Sequence, residues 1–187
     1  MSEMLNTPSV DVLANRGIGT QVHVVRREGD RWVRAKDGEG NDIKEQYWIK
    51  FTNWTLALLE APAPLGFGSA DAWQSAFQNT PLRAMVKTLA LLDEKTVITD
   101  AGEEAADLLY GAQRLLDGHV TTYASALVNA YMLAQGVSPE KIMAALKKTE
   151  REFNEKMNEE LNFNDSPQND EGESSNTQTD QGESQSW

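Results

Sequence analysis

The sequence predicts an α+β fold: a small N-terminal antiparallel β-meander packed on a mainly α-helical body, with a disordered acidic C-terminal tail. Three observations carry this prediction. Alternation of apolar and polar residues is concentrated between residues 20 and 51, apolar residues recur at spacings of three and four from Asn53 to Leu161, and no aliphatic residue follows Leu161. The expected organisation is a flexible arm over 1–18, the meander over 19–52, a helical body over 53–162 forming one compact domain with it, and the tail over 163–187.

Residues 1–18 contain Pro8 and Gly17 and show little periodicity, which reads as a loose arm. The segments "TQVHVVR" (20–26), "RWVRA" (31–35) and "QYWIKF" (46–51) alternate in polarity and are rich in Val, Trp, Tyr and Ile. Between them "REGD" and "KDGEGND" carry turn chemistry, so three antiparallel strands in sequence order are expected. In the third, Tyr47, Ile49 and Phe51 share one face, expected to seal onto helices, and Trp48 and Lys50 share the other.

Helical periodicity begins at Asn53, which can cap a helix 54–61 that ends at Pro62 and Pro64. Ser69 can cap 70–78, with Trp73, Ala76 and Phe77 on one side. Thr80-Pro81 opens "PLRAMVKTLALL", where Leu82, Met85, Val86, Leu89 and Leu92 form a stripe. Asp100 and Glu103 resemble a capping box for a helix 101–116 stopped near Gly118. A helix 121–136 follows, with Tyr123, Leu127 and Tyr131 four apart. Ser138-Pro139 then starts a last helix through Ile142, Leu146, Phe153, Met157 and Leu161.

The formal net charge of −12 is unevenly placed. From Glu150 onward eleven Asp or Glu face only Arg151 and Lys156, so this end carries −9 and residues 1–149 carry −3. With no basic stripe, an acidic surface repels phosphates and argues against nucleic acid as a partner. No apolar run reaches the roughly 18 residues of a membrane span, and "MSEMLNTPSVDVL" lacks the basic and apolar regions of a leader. The expected compartment is the cytoplasm. The absence of cysteine excludes disulfides, thiolate metal sites and cysteine nucleophiles.

Candidate chemistry is sparse, and no cofactor or metal is expected. His23 and His119, the only histidines, lie on a predicted strand and after a glycine stop. A deep polar pocket joining either to a carboxylate is the finding that would favour an enzyme. The loop "DGEGND" places Asp37, Glu39 and Asn41 at calcium-loop positions, yet Asp42 stands where glycine is required and Trp48 where glutamate is. "RGIGT" (16–20) precedes a strand instead of opening a helix, unlike a phosphate loop. Glu103, Glu104 and Asp107 suit the positive end of a helix dipole. Ser69, Ser125 and Ser138 lack a nucleophile elbow, and two of them stand at cap positions. The chain therefore reads as non-enzymatic.

Aromatic side chains are the richer signal. Trp32, Trp48, Trp54 and Trp73 gather around the strand-to-helix junction, where they can fill the sheet–helix layer or meet a partner. In order, the features of 47–139 resemble the tail assembly chaperones of long-tailed, siphovirus-like bacteriophages. The likeness rests on "YWIKFTNWTLALLE" running from strand to a helix ending at Glu60, on "FGSADAWQSAF", on the amphipathic "TPLRAMVKTLALL" and on "DAGEEAADLL" before the last helices. The Pro62-Ala63-Pro64 insertion, the hairpin "TQVHVVRREGDRWVRA" and the long acidic tail depart from the pattern.

The resemblance implies a non-catalytic protein of the host cytoplasm. Its partners would be the tape-measure protein, a very long helical chain kept soluble during assembly, and the tail-tube protein, with self-association possible. It would be absent from the mature virion. The candidate partner-binding residues are Trp48, Trp54, Leu58, Trp73, Phe77, Met85 and Leu89, as lining of apolar grooves for a client helix. The alternative is a structural or adaptor component stably incorporated in a phage tail or similar assembly.

Overall fold

The computed structural model describes residues 9–148 together with Arg151 and Glu155. The expectations for the rest of the chain, the disordered tail among them, lie outside the described residues. Contacts divide the chain into units Met1–Lys148 and Thr149–Trp187. In the second, Arg151 and Glu155 are helical and exposed and form an ion pair at 3.5 Å.

The first unit is α+β, as predicted. Its first element is a helix where a loose arm was expected. Ser9 Oγ accepts from Val12 N and starts α1 (Val10–Arg16), whose Leu13 is buried. A seven-residue helix is too short to display periodicity, and a cap plus one buried leucine suffice to place it. Gly17 closes it at φ 87°, and a Cβ there would lie 2.1 Å from the Ile49 carbonyl oxygen. Only glycine permits that backbone approach.

The strands form a nested arrangement instead of a sequential meander. Strand β1 (Ile18–His23) pairs antiparallel with β4 (Lys44–Ile49), while β2 (Val25–Glu28) pairs with β3 (Arg31–Arg34) as a hairpin between them. The expected strand 20–26 breaks at Val24, whose N–H donates to Ile43 O and whose carbonyl accepts from Ala35 N. Burial explains the nesting. Across the β1–β4 ladder Ile18 faces Ile49 and Thr20 faces Tyr47, so one sheet face is apolar and joins the core with Phe51. The arginine-rich β2–β3 hairpin carries a smaller apolar patch, Val25 and Trp32, which packs on a second cluster around Ala90, Leu91, Ala106 and Tyr110 instead.

Helix α2 (Asn53–Glu60) is capped by Thr52 and not by Asn53. Thr52 Oγ1 accepts from Thr55 N, and Thr55 Oγ1 accepts from Thr52 N in return. Ser69 caps α3 (Ala70–Asn79) as predicted. Helix α4 (Pro81–Leu92) has Pro81 in its first turn, but Thr80 gives no side-chain cap, its hydroxyl donating to Ala76 O instead. Helices α2, α3, α5 and α6 all pack on α4, so burial runs around it, through Ala84, Met85, Val86, Thr88, Leu89, Ala90 and Leu91. Leu82, predicted on the buried stripe, is exposed at its first turn.

The helix expected over 101–116 is a hairpin followed by a shorter helix. Strands β5 (Thr96–Ile98) and β6 (Glu104–Ala106) pair antiparallel around a turn with Gly102 at φ 78°. Helix α5 (Leu108–Arg114) then starts with Asp107 Oδ1 accepting from Tyr110 N. Thus Asp107 is a cap, while Glu104 lies on a strand and accepts from Thr96 Oγ1. Helix α6 (Val120–Ala134) buries Tyr123 and Leu127 as expected, with Tyr131 half-buried in the same core. A final described helical stretch, 139–148, buries Ile142.

Candidate functional site

The seven candidate partner residues separate by burial. Trp73, Met85 and Leu89 are fully buried core residues and present nothing to a partner in this conformation. Trp73 is held by geometry as well as area: its ring packs edge-on against Phe51 and Phe77 and tilts against Tyr131 at 4.8 Å, and its Nε1 donates to Thr88 Oγ1 at 2.9 Å. Phe77 is half-buried against that ring. The spacing that placed Trp73, Ala76 and Phe77 on one side was correct, but that side faces inward.

Leu58 is half-buried in a second, smaller cluster around Ala90, Leu91, Ala106 and Tyr110. Trp48 lies on the sheet face away from the core, against Gly19, with the Arg16 guanidinium 5.6 Å from its ring centre. It is half-covered by its own chain. Trp54 is different, being 59% exposed in the first turn of α2. Thr55 and Leu59 are buried, and Leu56 and Leu58 are half-buried against the two core clusters, so the apolar side chains that α2 leaves exposed are Trp54 and Ala57, three residues apart.

Two polar clusters were not foreseen as clusters. In the first, Asp93 at the end of α4 accepts from Tyr47 Oη at 2.5 Å and from Tyr110 Oη at 2.6 Å, with Arg114 Nε at 3.5 Å. Arg114 Nη1 also donates to His23 O at 3.0 Å and pairs with Glu45. Its guanidinium lies 5.0 Å from the Tyr47 ring centre. Burial first, and then the Asp93 carboxylate, push both phenols well above their ordinary range. These groups answer one another and tie β1, β4, α4 and α5 together. The one clue in sequence is Arg114, charged amid "LLYGAQRLL" and four residues from Tyr110.

The second cluster lines a depression with His23, Arg34, Asp42, Lys44, Asp117 and His119 among its walls. Both histidines therefore share a hollow with two carboxylates. Those carboxylates, however, accept from cations: Arg34 Nη1 and Nη2 meet Asp117 at 3.2 Å each, Arg34 Nη1 meets Asp42 at 3.4 Å, and Lys36 Nζ meets Asp42 at 2.9 Å. His23 is 4% exposed with Nδ1 unpartnered, and burial, then Arg34, lower its pKa. The lining contains no serine, threonine or tyrosine hydroxyl to activate. The arrangement suits binding better than nucleophilic chemistry.

The remaining candidates are structural where described. Asp37 Oδ1 accepts from the Glu39 and Asn41 amides at 2.9 Å, closing the 37–42 turn with no calcium geometry. Ser69 and Ser138 both accept from backbone N–H groups three residues on. Among the described residues no group of three His, Cys, Asp or Glu is placed to hold a metal, and no helix is long and apolar enough to cross a membrane. No protein-family model, no curated protein and no solved structure matches this chain.

Proposed function

We propose that this protein is a non-catalytic tail assembly chaperone, one that binds the tape-measure protein in the host cytoplasm, promotes tail-tube assembly and is absent from the mature virion. The observation that supports this reading is Trp54. Of the tryptophans among the described residues it alone is exposed, and it stands within "YWIKFTNWTLALLE", the stretch that carries the family resemblance. A large amphipathic side chain beside the exposed Ala57 offers an anchor of the kind a client helix can cover with its own apolar stripe. Trp73, Met85 and Leu89 act behind it as the rigid core that holds α2 in place.

The test is co-expression with the tape-measure protein encoded alongside this chain. The intact chaperone keeps the client in the soluble fraction, Trp54→Ala lowers that fraction, and removal of residues 164–187 lowers it further. A client equally soluble with and without this chain would remove the basis of the proposal. Mass spectrometry of purified particles addresses the alternative: the chain at fixed stoichiometry in mature particles would mark a structural or adaptor component.

A further inference from the structure

The hollow between the β3–β4 connection and the α5–α6 connection has features that the chaperone reading leaves unused. Three cations line it, Arg34, Lys36 and Lys44, against two carboxylates, Asp42 and Asp117. Its local formal charge is thus +1, with the histidines neutral, in a chain of net charge −12. Lys44 Nζ and the His119 ring have no partner among the described residues, although both line the depression. Two further polar atoms are covered and unpartnered, His23 Nδ1 and Arg34 Nε. Both atoms are covered, so a ligand in the hollow would meet the open parts of these side chains, the terminal nitrogens of Arg34 above all, and not these two atoms.

We propose that this hollow binds a small oxyanion, a phosphate or carboxylate group, with Arg34 as its anchor and Lys44 and His119 at its rim. Asp117 shows how. Its carboxylate meets the two terminal nitrogens of Arg34 in the forked geometry that guanidinium groups offer to oxyanions, yet its side chain is 86% exposed. An exposed pair of this kind is weak. A ligand oxyanion takes the place of Asp117 on the Arg34 fork, while Asp42 keeps Arg34 oriented from the other side. Lys44, with no ion-paired acid among the described residues, then supplies a second charge-assisted contact. The site is distinct from the outer side of α2 and stands or falls independently of client binding.

The experiment is an NMR titration of the full chain with inorganic phosphate and, separately, with succinate, at ionic strength held constant by sodium chloride. Saturable shifts at residues 34, 44, 117 and 119 with at least one of the two anions are expected, and the anion that saturates identifies the ligand group. Lys44→Gln should weaken binding about three- to tenfold, the range of one ordinary net hydrogen bond at an exposed site. Asp117→Asn should strengthen it by freeing the Arg34 fork, while Asp30→Asn, an exposed acid away from the hollow, should leave it unchanged. Failure of both anions to saturate, shifts equal to those caused by chloride, or equal effects of Asp117→Asn and Asp30→Asn would overturn the proposal. Lys44 and Asp117 are surface side chains, so neither variant confounds the result with unfolding.

Discussion

Trp73 Nε1 donates to Thr88 Oγ1 at 2.9 Å with both side chains buried, and the Thr88 hydroxyl in turn donates to Ala84 O at 2.7 Å. This chain of bonds joins α3 to α4 at the centre of the core. Thr88→Val keeps the shape but leaves an indole N–H unpaired, for an expected loss of about 1–3 kcal/mol. Trp73→Ala empties the aromatic cluster and should cost about 3–5 kcal/mol. Urea denaturation of both variants checks the order.

Trp54 should behave in the opposite way. Its side chain is exposed and has no role in the core, so Trp54→Ala should change stability by less than about 0.5 kcal/mol. Thermal melting superimposable on the parent, together with lost client retention, is the expected pairing. A large drop in Tm would show that Trp54 holds α2 in place instead.

Gly111 sets two physical effects against each other. Helix propensity alone makes Gly111→Ala stabilising by about 1 kcal/mol. A Cβ at Gly111, however, would lie 1.9 Å from the Val86 carbonyl oxygen and 2.8 Å from its Cα, where α5 crosses α4. Backbone cannot step aside as a side chain can, so the contact wins and the variant should lose about 1–3 kcal/mol or more. Denaturation midpoints read the sign directly.

All four tyrosines have phenol pKa values raised by burial, and Asp93 raises those of Tyr47 and Tyr110 further. In the unfolded chain they ionise near pH 10. The folded state thus holds more protons above that pH, and stability present below it is lost as pH rises. Absorbance at the phenolate band should stay low past pH 10 and then rise together with loss of helix. An early rise, with the fold intact, would contradict the burial of this network.

His23 acts at the other end of the scale. Burial, then Arg34 and Lys44, hold its pKa below 6.5 against the opposing pull of Asp42 and Asp117. Below about pH 6.5 the unfolded histidine takes up a proton that the folded one does not, so stability falls as pH drops from there toward 5. Asp37, Asp42 and Asp117, with lowered pKa values, enter only below about pH 4. Melting of the parent at pH 7, 6 and 5 should therefore fall more steeply than that of His23→Gln. Parallel curves would show that His23 takes up its proton equally well when folded.

Much of the helical architecture was legible because its signals are local. The Ser69 cap, Pro81 at a helix start, and the Tyr123–Leu127–Tyr131 spacing each act within a turn or two of chain. What was hidden depends on distant partners. Nothing near Lys44 announces that its strand pairs with Ile18–His23 instead of with Arg31–Arg34, since that choice is made by which faces can be buried together. The segment "EEAAD" favours helix locally, yet pairing with "TVI" pulls it into a strand. Of the candidate site, the spacing identified apolar lines correctly but could not tell an inward line from an outward one. The Asp93 cluster joins Tyr47 to Asp93 across 46 positions and the Arg34 cluster joins Arg34 to Asp117 across 83, beyond the reach of any spacing rule.

The opposite fates of two tryptophans in one short region also make the protein its own reporter. Trp73, enclosed by aromatic rings, emits toward the blue, and Trp54, bathed in water, emits toward the red. In the difference between the parent and Trp54→Ala spectra, which removes the shared emission of Trp32, Trp48 and Trp187, a client that covers Trp54 drains intensity from the red edge, whereas in the parent spectrum itself unfolding carries the blue component of Trp73 to the red. Capture of a partner and collapse of the fold thus leave different colours in tryptophan emission, with no label attached.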